Sequence, residues 1–142
     1  MKLFASGKII LLLLIFFAIN SCKKDDDAIP YIAVNIDIYL TDPAYVKLNA
    51  VGGSVYVYGG VKGIIVYRKT NDEFLSYERN CTYKPSDTNA KVSVDASNVM
   101  AVDTSCGSKF QLLDGSVTNS PASRPLKQYS TTYSNSVVHI YN

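Results

Sequence analysis

Three cysteines and one histidine are the residues of this chain best suited to bind a metal or to act as nucleophile and base. Cys22 directly follows an apolar run, whereas Cys81 and Cys106 lie in the second half of the sequence. His139 lies within the strand-like segment 137–141, and no serine or cysteine stands at a spacing that makes it a catalytic partner. We therefore predict a strand histidine with a hydrogen-bonded ring, and not a catalytic base.

The acidic residues do not form a recognisable catalytic pair. Paired carboxylates for hydrolysis must oppose each other in a cleft, and the spacing here does not predict that. The sequence also lacks a glycine-rich phosphate loop, a His-x-x-x-His motif and a nucleophile elbow. We predict that the protein is not an enzyme, and an enzyme with an unrecognised surface site is the least favoured class. The scattered acids are Asp37, Asp42, Asp72, Glu73, Asp87, Asp95, Asp103 and Asp114.

The first 21 residues have the pattern of an export signal. Lysines precede the apolar run 9–19, which is shorter than the roughly 20 residues that a membrane-spanning helix needs. The small residue Ser21 followed by Cys22 resembles the lipobox of bacterial lipoproteins, which implies cleavage before Cys22 and acylation of that cysteine. An ordinary secretory signal is the alternative. We predict a membrane anchor through lipid on Cys22.

Residues 22–30 are predicted to be a solvated tether, because the charged run 23–27 ends near Pro30 without apolar residues to bury. Lysines followed by acids resemble the signal that sends some Bacteroidetes lipoproteins to the cell surface, although a plain spacer fits equally well. We predict an outer-membrane or cell-surface location. Cleavage removes Lys2 and Lys8 from the 14 basic residues, which leaves 12 against 12 acidic ones. This balance predicts no nucleic-acid partner.

Residues 31–142 are predicted to form one all-β domain. Segment 32–40 alternates apolar and polar residues, and short β-rich runs separated by turn signals follow it. Asp114-Gly115 predicts a hairpin, and Ser134-Asn135-Ser136 predicts another turn. Eleven tyrosines and no tryptophan fit half-buried sheet aromatics, although a ligand groove is also compatible. The further predicted strands are 55–58, 64–68, 74–78, 92–94, 109–111, 116–118, 127–133 and 137–141.

From Gly63 onward the order of motifs resembles a Rieske iron-sulfur domain. A hairpin pattern over 63–77 leads into Cys81-Thr82-Tyr83, as that family's hairpin leads into its first Cys-x-His loop. Cys106-Gly107-Ser108-Lys109-Phe110 is similar to the end of the second Cys-x-x-His loop, and segment 114–129 is similar to the family's tail. The resemblance implies an antiparallel β-sandwich or small barrel, with the loops around 81–86 and 102–108 at its tip.

The same resemblance implies that most cluster ligands are missing. A Rieske cluster needs two thiolates and two imidazoles. The four ligand positions fall on Cys81, Tyr83, Asp103 and Cys106, so one ligand of the four is kept. We therefore predict neither cofactor nor metal. A mixed site using these four residues is chemically conceivable, but nothing in the spacing favours it.

The resemblance implies a structural role for the two remaining cysteines. The family's ligand loops face each other, so Cys81 and Cys106 are expected to approach across the vacated site. Disulfides persist in exported proteins, and we predict a disulfide between Cys81 and Cys106 in place of the metal.

The predicted function is that of a cell-envelope lipoprotein. Its cluster-free Rieske-like domain would serve as a binding or accessory module, with a possible envelope-protein partner. The alternative, which the resemblance alone implies, is a membrane-tethered [2Fe-2S] electron-transfer protein.

Overall fold

The computed structural model describes residues 28–142, so the predicted signal peptide, the lipidation site Cys22 and most of the tether lie outside the described residues. Within that range no helix is long and apolar enough to span a membrane. Apart from one 3₁₀ segment, the regular secondary structure of the described residues consists of short strands, which confirms the all-β prediction. The elements are β1 (Asn35–Tyr39), a 3₁₀ segment (Pro43–Asn49), β2 (Ser54–Val57), β3 (Ile64–Arg68), β4 (Phe74–Glu78), β5 (Val92–Val94), β6 (Met100–Asp103), β7 (Lys109–Gln111), β8 (Val117–Asn119), β9 (Gln128–Ser134) and β10 (Val137–Tyr141).

The strands form two antiparallel sheets. The larger sheet has six strands in the order β1-β10-β9-β4-β3-β2, and the smaller has four in the order β5-β6-β7-β8. All four strands of the smaller sheet come from the chain between β4 and β9, which are neighbours in the larger sheet. The smaller sheet is therefore an insertion between two neighbouring strands of the larger sheet. Both cysteine loops belong to this insertion.

Strands β3 and β4 are buried on both faces because a hydrophobic cluster covers each side of the larger sheet. Ile65 and Tyr67 belong to the cluster shared with the smaller sheet, and Ile64 and Val66 belong to the cluster shared with β9 and β10. Successive strand residues point to opposite faces, which explains the uninterrupted apolar run 64–67. Fully burying each such side chain stabilises the fold by about 1.5–3 kcal/mol. The smaller sheet contributes Val92, Ala101 and Phe110 to the first cluster, and Leu112 joins them from the turn after β7.

Two predicted turns are confirmed. Asp114-Gly115 lies between β7 and β8, where Gly115 has a φ of 74° and its N–H donates to the Gln111 carbonyl over 2.8 Å. The turn between β9 and β10 places Asn135 at φ 50° and Ser136 at φ 62°. Two consecutive positive φ values suit the right-handed twist of a tight hairpin.

The first strand is shorter than predicted, since it begins at Asn35 and not at Ile32. The preceding residues are held by a side chain instead of a strand ladder. The Val34 N–H donates to Oδ1 of Asn142 and Nδ2 of Asn142 donates to the Ile32 carbonyl, each over 2.9 Å. The side-chain amide of Asn142 therefore joins the segment before β1 to the residue after β10.

Two elements were not predicted. Strand β6, Met100–Asp103, pairs with both β5 and β7 at the centre of the smaller sheet. The 3₁₀ segment begins after Asp42, whose carboxylate accepts a 2.9 Å hydrogen bond from the Ala44 N–H. Asp42 followed by Pro43 is an ordinary helix-start signal.

Candidate functional site

The candidate site lies where two loops of the smaller sheet meet. The first loop follows β4 and carries Cys81, whose N–H donates to the Ala90 carbonyl over 3.1 Å. The second is the β6–β7 turn and carries Cys106. This turn is closed by hydrogen bonds from the Gly107 N–H to the Asp103 carbonyl (2.8 Å) and from the Asp103 N–H to the Ser108 carbonyl (2.9 Å). Backbone pairing therefore fixes the ends of both loops.

The two loops bring Cys81 and Cys106 together, as the sequence resemblance implied, but no disulfide joins them. Their Sγ atoms are 4.0 Å apart and both cysteines are free, whereas a disulfide requires about 2.05 Å. The Cys106 thiol instead donates to Oγ of Ser108 over 3.1 Å. The structure therefore does not support the predicted disulfide, because the sulfurs lie in van der Waals contact and not at bonding distance.

Asp103 completes the group beneath the two thiols. Its side chain is fully buried, and donor atoms of Cys81, Asp103 and Cys106 all lie within 4.8 Å of one another. Oδ1 accepts hydrogen bonds from the N–H (2.8 Å) and Oγ (2.6 Å) of Ser105. Oδ2 is buried and receives no hydrogen bond from any described residue. The carboxylate thus has one hydrogen-bonded oxygen and one buried oxygen without a hydrogen bond, in a group whose donor atoms all lie close together.

The site shifts the proton affinity of two of its members in opposite directions. Burial raises the pKa of the Cys81 thiol to about 12, and the neighbouring Asp103 carboxylate adds to this rise. Burial also acts to raise the pKa of Asp103, but the hydrogen bonds from Ser105 and the closeness of the two thiol groups outweigh it, and the net pKa lies below its usual value. At neutral pH the metal-free site therefore contains a protonated Cys81 beside an ionised carboxylate.

Tyr83 and Cys106 connect this site to solvent. Both line a shallow pocket of about 300 Å³. Tyr83 is half-buried, and Nζ of Lys84 lies 5.3 Å from the centre of its ring. Cys106 is half-buried, whereas Cys81 and Asp103 lie behind it at zero exposure. The pocket also includes Asp87, Ala90, Ser105 and Pro121.

His139 lies in β10 of the larger sheet and takes no part in the site. Its Nδ1 is 2.6 Å from Oδ1 of Asp37, and its ring stacks on Tyr141 with centroids 5.2 Å apart. The interpretation of His139 as a strand histidine with a hydrogen-bonded ring agrees with this geometry.

A buried carboxylate that sequence reasoning missed positions the first loop. Glu78, the last residue of β4, is fully buried and accepts hydrogen bonds from the N–H groups of Val61 (2.7 Å), Lys62 (2.9 Å) and Asn80 (2.9 Å). It thereby links the Gly59–Gly63 turn to the backbone just before Cys81. A single acid at the end of an otherwise buried strand was the available signal.

The donor set does not fit a Rieske cluster. The second iron of such a cluster requires two imidazoles, and the group at this tip offers two thiols and one carboxylate. The single histidine of the chain is engaged in the other sheet. Oδ2 of Asp103 remains buried without a hydrogen bond from any described residue.

The chain has a Rieske-like fold, as its similarity to solved structures shows. It superposes on the cyanobacterial plasma membrane Rieske protein PetC3 from Synechocystis PCC 6803 with a TM-score of 0.56 and 20% identity, over 74% of this chain and 97% of that one. A Sphingomonas yanoikuyae B1 ferredoxin (TM-score 0.45, 20% identity, 63% and 84% covered) and E. coli NirD (0.48, 14%, 78% and 98%) are more distantly similar. No protein-family model and no curated protein matches the chain. At these identities the similarity establishes the fold alone.

Proposed function

We propose that this protein is a cell-envelope lipoprotein whose cluster-free Rieske-fold domain acts as a binding or accessory module. Lipid on Cys22 would hold the domain on the outer membrane or the cell surface. The observation that carries the proposal is the donor set at the tip, where Asp103 and Tyr83 stand at ligand positions of the family. A fold can be retained after its cofactor site has changed, and function then has to be argued from the residues present.

A surface beside the tip supports a binding role. Tyr58 is fully exposed and Tyr56 is 47% exposed, and the Arg79 guanidinium lies 3.8 Å from the centre of the Tyr56 ring. These residues, together with Lys62 and Lys91, line an open pocket of about 530 Å³. Tyrosine and arginine are enriched among the residues that dominate protein interfaces. The basic side chains favour a protein partner with an acidic surface.

The cofactor content of the purified full-length protein separates the two candidate functions. We expect colourless protein with far less than stoichiometric iron and acid-labile sulfide. Two irons and two sulfides per chain, with thiolate charge-transfer absorption, would instead establish the [2Fe-2S] electron-transfer alternative.

Lipidation is tested by fatty-acid labelling of cells that produce the full chain or its Cys22→Ala variant. We expect label and membrane association in the parent and neither in the variant. The matched Cys106→Ser variant should remain labelled. A Cys22→Ala protein that still carries label contradicts the anchor.

The partner surface is tested by cross-linking in intact cells. We expect Tyr58→Ala to lose a cross-linked envelope protein that the parent captures. Tyr39→Ala is the control, because Tyr39 is also exposed (56%) but lies on β1 at the opposite edge of the larger sheet. Equal capture by both variants contradicts the assignment of this surface.

A further inference from the structure

Two thiols and a buried carboxylate converge at one point of the described chain, without the two imidazoles that a Rieske cluster requires. We infer that Cys81, Cys106 and Asp103 form a site for a single thiophilic divalent cation such as Zn²⁺, with one coordination position open to the pocket beside Cys106. Such an ion would bind independently of the proposed envelope partner.

The spacing of the sulfurs suits a shared ion. A Zn²⁺ ion binds thiolate sulfur at about 2.3 Å with tetrahedral angles, which places two such sulfurs about 3.8 Å apart. The Sγ atoms of Cys81 and Cys106 are 4.0 Å apart. The carboxylate of Asp103 lies within 4.8 Å of both sulfurs, so a small inward movement brings all three donors to one ion.

The orphaned oxygen of Asp103 is an independent indication of a ligand. A buried carboxylate oxygen without a hydrogen bond is costly, and Oδ2 receives none from any described residue. Its other oxygen is held by Ser105 over 2.6 and 2.8 Å. The side chain is thus fixed in orientation with one acceptor left for a cation, as the second shell of a metal site fixes its ligands.

The types of donor select the class of ion. Thiolates favour soft or borderline ions, whereas Mg²⁺ and Ca²⁺ prefer oxygen ligands alone. Three protein ligands with a fourth position open to solvent are typical of zinc sites that exchange a ligand. Binding releases the two thiol protons to solvent as the divalent ion enters, so the charge of the group is unchanged.

The test uses full-length protein purified in detergent with a reductant, stripped of metal and titrated with Zn²⁺ and with Co²⁺ as a spectroscopic probe. We expect one ion per chain and a thiolate-to-cobalt charge-transfer band. Cys81→Ser and Cys106→Ser should lose the band, and Asp103→Asn should weaken Zn²⁺ affinity at least about 10-fold. Asp87→Asn is the matched control, because Asp87 lines the same pocket but its Oδ1 accepts from the Asn89 N–H.

Circular dichroism identifies variants that fail to fold, and Asp103→Asn keeps an acceptor for Ser105, so it tests the ligand without removing the turn. Three results overturn the inference: no Zn²⁺ bound by folded parent protein, affinity unchanged in Asp103→Asn, or a charge-transfer band kept by both serine variants. Iron and sulfide content is measured on the same preparation, so failure of this site is distinguishable from failure of the cluster-free assignment.

Discussion

The Tyr129 hydroxyl donates a 2.7 Å hydrogen bond to Oε2 of Glu78, and both side chains are buried between the middle of the larger sheet and the Gly59–Gly63 turn. Glu78 accepts three backbone hydrogen bonds in addition. A buried carboxylate is tolerated when donors surround it. This pair therefore anchors the backbone that leads directly to Cys81.

Replacing Glu78 with Gln should lower the free energy of unfolding by about 3 kcal/mol. The NH₂ group of the new amide would face N–H and O–H groups that now donate to the carboxylate, and these groups would lose their acceptor. Urea unfolding followed by circular dichroism measures the change. Glu73→Gln is the matched control: Glu73 is exposed and pairs with Lys69 over 2.9 Å, so it should change stability by less than about 1 kcal/mol. Equal losses in the two variants would contradict the role of Glu78.

Gly60→Ala should be far more destabilising than Gly52→Ala. Both glycines have positive φ, 61° and 82°, so both substitutions incur backbone strain of about 1–2 kcal/mol. A Cβ on Gly60 would also lie 2.1 Å from Oε2 of Glu78 and 2.4 Å from the Tyr129 hydroxyl, whereas a Cβ on Gly52 would meet nothing within 4 Å. Thermal unfolding of the two variants compares them directly. A Gly60→Ala protein as stable as Gly52→Ala would show that the turn moves freely away from Glu78.

The protein should lose stability as the pH rises above about 8.5, where an unfolded Cys81 would ionise, and more steeply above about 10, where unfolded tyrosines would. Burial raises the pKa of Tyr77 and Tyr129 above the ordinary tyrosine value, with Asp114 adding at Tyr77 and Glu78 at Tyr129. Above that pH the unfolded tyrosines ionise while the folded ones keep their protons, so the folded state binds more protons and stability falls with pH. Urea unfolding at pH 8 and pH 11 gives the slope.

Tyr77→Phe should flatten that decline and raise stability at neutral pH by about 1 kcal/mol, because the buried Tyr77 hydroxyl receives and donates no hydrogen bond among the described residues. Tyr58→Phe serves as control, since Tyr58 is fully exposed. An alkaline slope identical in the two variants would contradict this account.

Cys106 should be alkylated much faster than Cys81 in the native reduced protein, by at least about 100-fold. Cys81 has zero exposure and a pKa raised by burial to about 12, and only the thiolate reacts. Cys106 is half-buried and lines the open pocket. Iodoacetamide labelling followed by peptide mass spectrometry measures both rates, and in denaturant the two rates should converge. Equal native rates would mean that the first loop opens readily.

The sequence predicted the fold better than the site. The strands and turns depend on local residue patterns, whereas the site depends on contacts between segments that are distant in the sequence. Alternation and turn residues such as Asp114-Gly115 indicate which segments form strands and turns, and the all-β prediction is confirmed. Strand β6 was missed because Met100–Asp103 is short and its first three residues do not alternate between apolar and polar types. The order of the motifs correctly predicted that the loops of Cys81 and Cys106 lie close together. Whether the two Sγ atoms lie 4.0 Å apart or form a covalent bond depends on side-chain rotamers, which no motif encodes. Glu78 was overlooked because its four donors come from three separate segments.

The pairing of β1 with β10 determines the order in which the domain can assemble during synthesis. Asn35 pairs with Tyr141, and β10 in turn pairs with β9. Strand β1 is therefore synthesised early but remains unpaired until β10 has been made. The larger sheet is completed only at that point. A ribosome-stalled chain that ends at residue 134 should accordingly leave β1 accessible to proteases and chaperones, even where the β2–β4 meander has already formed.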